Sequence, residues 1–183
     1  LNGTEDIVGL LNAFTSSDSK ISKKNDDRYS RRFYGVFNNV ILYDGKKGTN
    51  NKLFNNRLNF EKIETEYFDD EILLLIKASD KDTFKDGVIN LKDFSSLYIY
   101  ALNEGEMRKI EISGMDVFRF NFIEKTKDLI IEFGVDKNND GFYENYNEPT
   151  IIKRYDFKNQ KLVDIIDPKI SSELQKLLEG TEK

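Results

Sequence analysis

Asp136, Asn138, Asp140, Glu144, Asn147 and Glu148 crowd around one glycine, Gly141. A surface turn needs one or two such residues, not six. A hard cation takes about six to eight oxygen ligands, and a twelve-residue loop can supply them from alternating side chains with glycine at its sixth place. Counted from Asp136, Asn138 is third, Asp140 fifth and Gly141 sixth. Phe142, seventh, offers its backbone carbonyl, Glu144 is ninth, and Asn147 falls twelfth with Glu148 beside it. Tyr143, eighth, is the residue expected to turn into the core. The chemistry this spacing predicts is the holding of Ca²⁺.

The pattern resembles the EF-hand calcium loop over its first nine residues. It departs at the twelfth place, where Asn147 stands for a bidentate Glu, so the site is a weaker one unless Glu148 reaches in. A second copy has the same register over residues 82–93. Asp82, Asp86, Asn90 and Asp93 occupy its ligand places, Gly87 its bend, and Val88 would give a carbonyl. Phe84 stands at the third place and is no ligand, and Asp80 lies just outside. The expectation is one Ca²⁺ in the loop at Asp136 and a second, weaker site at Asp82. Apolar, β-branched and aromatic runs flank both loops, so they connect strands and do not form a helix–loop–helix switch.

The residue types that are missing narrow the chemistry further. The 183 residues include no His, Cys or Trp. Serine–histidine and cysteine–histidine catalysis, disulfides and the usual zinc sites are therefore not expected. A hard cation held by oxygens stays open. The net charge of −5 argues against a nucleic-acid partner. No apolar run approaches the roughly 18 residues of a membrane span. The start at Leu1 rather than Met suggests a processed or trimmed chain.

The loops must be positioned by the elements around them. Residues 4–14 carry Ile7, Leu10, Leu11 and Phe14 at helical spacing behind Thr4 as a cap. Residues 15–32 are polar and unpatterned, a loop or flexible arm. From Phe33 to about residue 167 the signal is β-strand. Residues 168–183 return to a helix with Ile170, Leu174, Leu177 and Leu178 as its stripe and Gly180 as its stop. Three regions follow: 1–32, 33–167 and 168–183. Residues 71–110 align with 128–165, at an offset of 54 through the acidic loops and 55 at their C-terminal ends, each reading as a buried strand, an acidic loop and two more strands. Residues 59–68 and 116–125 supply a strand before each copy, and residues 39–54 resemble its last two strands. Such a unit, about four antiparallel strands repeated roughly two and a half times, is the size of a propeller blade. Closed propellers need about four blades or more. The expectation is a mainly β fold, an open or sandwich-like antiparallel meander with a short helix at each end.

This combination resembles bacterial TolB-like or WD40-like propeller repeats in which D-x-N-x-D-G loops interrupt a blade. The resemblance spans residues 39–166 and is strongest in the two acidic loops and in "SSLYIYALNEGEMRKI" (residues 95–110). It implies a non-enzymatic, calcium-stabilised binding or scaffold module of the cell envelope, at a periplasmic, cell-surface or secreted location. Its partner would be an unidentified protein or carbohydrate. An alternative is a carbohydrate-active or other hydrolase using two of Glu64, Glu66, Asp69, Asp70, Glu71 and Asp116, although the sequence singles out no pair. Another alternative is a fragment of a larger β-propeller. The nine Tyr and fourteen Phe are read as fillers of strand faces.

Overall fold

A computed structural model describes residues 22–23, 30–45, 47–123 and 126–180. The helix expected over residues 4–14 lies outside them. The described strands are β1 Ser22–Lys23, β2 Ser30–Phe37, β3 Ile41–Asp44, β4 Thr49–Lys52, β5 Phe60–Tyr67, β6 Ile72–Ser79, β7 Ser95–Ala101, β8 Glu106–Ile110, β9 Met115–Phe122, β10 Leu129–Val135, β11 Thr150–Asp156 and β12 Lys161–Asp164. One helix follows, α1 Pro168–Glu179. The fold is mainly β and antiparallel, as the strand signal predicts.

The repeat of the sequence corresponds to two four-stranded meanders, β5 to β8 and β9 to β12. The first is widened by β1 and β2 into a six-stranded sheet of order β1-β2-β5-β6-β7-β8. The second forms its own sheet of order β12-β11-β10-β9. Residues 39–54 contain the separate hairpin β3–β4. Among the described residues no sheet closes, and the topology does not confirm a count of two and a half blades: the two meanders pack face to face. Each meander has one apolar face to hide, and the other meander covers it at once.

Leu73 and Leu75 of β6, Leu97, Ile99 and Ala101 of β7 and Ile110 of β8 meet Val117, Leu129, Ile131, Phe133 and Tyr155 of the facing sheet. A second core lies on the other face of the larger sheet. There Leu74, Ile76 and Ala78 of β6 meet Phe37, Val40, Phe54, Leu58, Phe60, Ile63 and Tyr98. Strand β6 is therefore covered on both faces, which is why its sequence is an unbroken apolar run instead of an alternation. Truncating Leu75 in such a place costs about 2–5 kcal/mol.

Two local outcomes bear on the sequence reading. Residues 30–32 of the polar run belong to β2, and Ser22 and Lys23 pair with Arg32 and Arg31. β2 thus lies between β1 and β5, and its Arg32 gains Glu64 of β5 as an ion-pair partner at 3.0 Å. The C-terminal helix forms where expected. Asp167 caps its N-terminus by accepting from the Lys169 N–H at 2.7 Å, Pro168 opens it, and Gly180 ends it in the left-handed region. Its apolar stripe is solvent-exposed.

Candidate functional site

The two acidic loops leave the sandwich at one end, residues 80–94 linking β6 to β7 and residues 136–149 linking β10 to β11. Each is built inward from its first-place aspartate. Asp82 accepts the N–H groups of Asp86 at 3.2 Å and Gly87 at 2.9 Å. Asp136 accepts those of Asn139 at 2.7 Å and Gly141 at 2.9 Å. In both loops the fifth-place carboxylate then takes the seventh N–H: Asp86 from Val88 and Asp140 from Phe142, each at 2.9 Å. Short acidic side chains bonding to backbone two to five residues onward make these turns self-templating.

The closing residues are equivalent in role. Asp93, 2% exposed, accepts from Thr83 N at 2.7 Å, Phe84 N at 3.0 Å and Asn90 N at 2.8 Å, the second, third and ninth places of its loop. In the other loop Glu148 does this, accepting from Lys137 N at 2.7 Å, Asn138 N at 3.4 Å and Glu144 N at 2.9 Å. Glu148, not Asn147, is thus the counterpart of Asp93. The segment 144–148 makes one tight turn, with the N–H groups of Asn147 and Glu148 both on the Glu144 carbonyl, and Tyr146 has φ 84°. That turn absorbs one extra residue. The Asn147 amide goes to the Glu144 carboxylate at 2.8 Å. Backbone donation, first from Glu144 and then from Lys137 and Asn138, holds the Glu148 carboxyl below the usual carboxylate range.

The remaining expected ligands divide between the loops. Asn138 accepts from Asp140 N at 3.0 Å and donates to the Asp140 carboxylate at 2.9 Å. Asn90 donates to Asp86 at 2.9 Å and to the Val88 carbonyl at 3.3 Å. Tyr143 is buried, as its place predicts, edge-on to Phe118 at 5.4 Å. Asp80 does not turn toward its loop: it accepts from Tyr98 at 2.8 Å and Lys109 at 2.7 Å. Burial opposes its ionisation, but those two donors outweigh burial and keep its carboxyl below the ordinary value.

What sequence reading did not foresee is that the loops join. Thr83 donates its hydroxyl to the Gly141 carbonyl at 2.8 Å across 58 residues and accepts from Phe94 N at 2.8 Å. Gly141 approaches so closely that a Cβ there would lie 1.8 Å from the Thr83 carbonyl oxygen. Phe84, a poor fit to its ligand place, packs edge-on against Phe142 at 6.0 Å. Nothing in the local spacing marks Thr83. An open cavity of about 380 Å³ lies at the junction, with Asp82, Thr83, Lys85, Asp136, Asn139 and Gly141 in its lining. Buried Asp116, 8% exposed, adds a second tie between the sheets through Ser95 N at 2.7 Å.

As donors for a metal the loops are hard oxygens only. Among the described residues no group of three or more acidic side chains is arranged to hold an ion. The first loop fits poorly, with Phe84 turned to the other loop. The second fits in type and spacing, with its carboxylates pinned by loop N–H groups. The carboxylates considered for hydrolysis are scattered: Glu64 pairs with Arg32 and Lys62, Asp116 with Lys77, and Asp70 and Glu71 with Lys127. No helix among the described residues is long and apolar enough to cross a membrane. Comparison with known proteins finds no matching family model, curated protein or solved structure, so the geometry of the joined loops is the ground for any functional reading.

Proposed function

We propose that the chain is a non-enzymatic binding or scaffold module whose joined loops form a cation-tuned clamp at one end of the sandwich, with Ca²⁺ taken by the loop at Asp136. The observation that carries this is the twofold hydrogen-bond frame: first-place aspartate to sixth-place glycine, fifth-place carboxylate to seventh N–H, closing carboxylate to the second, third and ninth N–H groups. A frame that aims carboxylates inward by their own backbone leaves further lone pairs for an ion and lowers the ordering an ion would have to impose. Asp136, Asn138, Asp140, the Phe142 carbonyl, Glu144 and Glu148 would be its donors. The loop at Asp82 then acts as the buttress, through Thr83 and Phe84. Such a clamp suits a protein working where Ca²⁺ is plentiful, at the cell surface, in the periplasm or outside the cell.

Calorimetric titration with Ca²⁺, with Mg²⁺ as control, tests the reading directly. At ten times its Kd an ion bound only to the folded state adds about 1.4 kcal/mol, a rise of roughly 3–6 °C in Tm for a chain of this size. Asp136→Asn should abolish the rise and Asp82→Asn should leave most of it. No heat and no shift at millimolar Ca²⁺ would reduce both loops to self-supporting turns.

A further inference from the structure

No residue of α1 joins either core. Its apolar stripe is nevertheless complete: Ile170 is 51% exposed, Leu174 50%, Leu177 61% and Leu178 83%. A helix of twelve residues is marginal in water on its own, because nucleation is costly and a few turns return little. Packing of the apolar face ordinarily supplies the difference, and here neither sheet supplies it. The polar positions Lys169, Ser171, Ser172, Glu173, Gln175 and Lys176 are of mixed charge. A helix that lies in a membrane interface is rich in Lys and Arg on that face, so the pattern favours another helix as the covering surface.

The stripe is complementary to itself. Ile170, Leu174 and Leu177 follow the four-three spacing of a two-helix seam. When two copies run antiparallel about a twofold axis at Leu174, each residue lies level with the one equally far on the other side of Leu174 in its copy. Ile170 then lies level with Leu178 of the second copy, twice, and Leu174 meets its own counterpart. The flank obeys the same rule. Glu173 and Lys176, three residues apart, share one side of the stripe. The twofold sets that side against its own copy, with Glu173 within about 1.5 Å along the axis of the second copy's Lys176, again twice. A parallel pair would instead set Glu173 beside Gln175 and align the two helix dipoles unfavourably. The four stripe residues expose roughly 450 Å² per copy, so two copies cover about 900 Å², and the Glu173 and Lys176 stems carry the contact to the roughly 1,000 Å² of a specific interface.

We propose that the chain pairs with a second copy of itself through α1, as an antiparallel twofold dimer centred on Leu174, with Glu173 of each copy beside Lys176 of the other. Such a contact uses the same patch on both copies, so it closes at two. The site is separate from the acidic loops and does not depend on a cation in them.

Sedimentation equilibrium of the full chain tests this, and should show a monomer–dimer equilibrium in the micromolar range. Leu174→Glu places two carboxylates on the axis and should leave a monomer throughout. Its melting point at low concentration, where the wild type is also monomeric, should be unchanged, because α1 joins neither core. Glu173→Lys and Lys176→Glu each set like charges across the flank, twice, and should each weaken self-association about tenfold. Mixed in equal amounts, the two variants regain opposite charges at both contacts and should form a heterodimer as tight as the wild type. Charge pairing within one helix cannot give that result. A wild type that stays monomeric up to millimolar chain would overturn the proposal, and a monomer that sediments with anionic vesicles would do so in favour of lipid. Two weakened variants that form no heterodimer would overturn the antiparallel pairing. A fall of several degrees in the melting point of Leu174→Glu at low concentration would overturn it in favour of an occupant within the chain, residues 4–14, whose Ile7, Leu10, Leu11 and Phe14 have helical spacing.

Discussion

Replacing Gly141 by Ala separates the joined loops, and replacing Gly87 does not, although the two glycines hold the same place in matching loops. Both have left-handed backbones, φ +83° and φ +87°. An L-residue in that region costs about 1 kcal/mol, partly offset by a stiffer unfolded chain. At Gly87 that is the whole effect, because nothing lies within 4 Å of the added Cβ. At Gly141 the Cβ would lie 1.8 Å from the Thr83 carbonyl oxygen and 2.5 Å from its carbon. These are backbone atoms, so the loops must part. Parting them forfeits the Thr83–Gly141 hydrogen bond, about 1 kcal/mol, and the Phe84–Phe142 contact, about 0.5–1 kcal/mol. Gly141→Ala should therefore lose about 3 kcal/mol and Gly87→Ala about 1 kcal/mol. At about 2–4 °C per kcal/mol, the melting point falls by roughly 6–12 °C against 2–4 °C. Urea denaturation and calorimetry on the two variants measure the difference. Thr83→Ala should cost clearly less in the Gly141→Ala background than alone, since the bond is already gone. Equal losses for the two glycines would refute the reasoning, because they would mean the loops do not touch in solution.

The closing residue of the second loop gives another contrast. Glu148→Ala should lower the melting point well beyond Asn147→Ala, because Glu148 gathers three N–H groups and Asn147 only one side-chain contact. Acid should act through the ion cluster on β7 and β8. Asp80 is held below its ordinary carboxyl value by Lys109 and Tyr98 against burial, and Glu111 by Lys109. Groups depressed in the folded state stabilise it fully above their unfolded values, and that stability drains as pH falls through the folded ones. The wild type should lose stability on acidification below about pH 4, and Asp80→Asn should show a shallower loss there and cost about 1–2 kcal/mol at pH 7, as pH-dependent urea midpoints would reveal.

Local signals carried much of this molecule. The alternation of Phe118, Arg119, Phe120 and Asn121 marks a strand with one wet face, and the unbroken "ILLLI" marks a strand hidden on both sides. Asp167, Pro168 and Gly180 bracket the helix because capping is a matter of a few consecutive residues. The acidic turns are also local: an aspartate five residues before a glycine finds that glycine's N–H in both copies. Counting alone did not rank Asn147 against Glu148 or place Asp80. The turn at 144–148 shifts the closing role from Asn147 to Glu148, and Asp80, near in sequence to its loop, is drawn off by Tyr98 and Lys109.

By itself, then, the sequence determined the strands, their antiparallel hairpin order, the helix and the opening turn of each loop, since each depends on periodicity or on partners a few residues apart. Only the tertiary structure decided that the two meanders face each other and that Thr83 meets Gly141 across 58 residues. Those outcomes depend on which apolar faces bury most area together and on how the strands twist and stop. No short window of residues contains that sum.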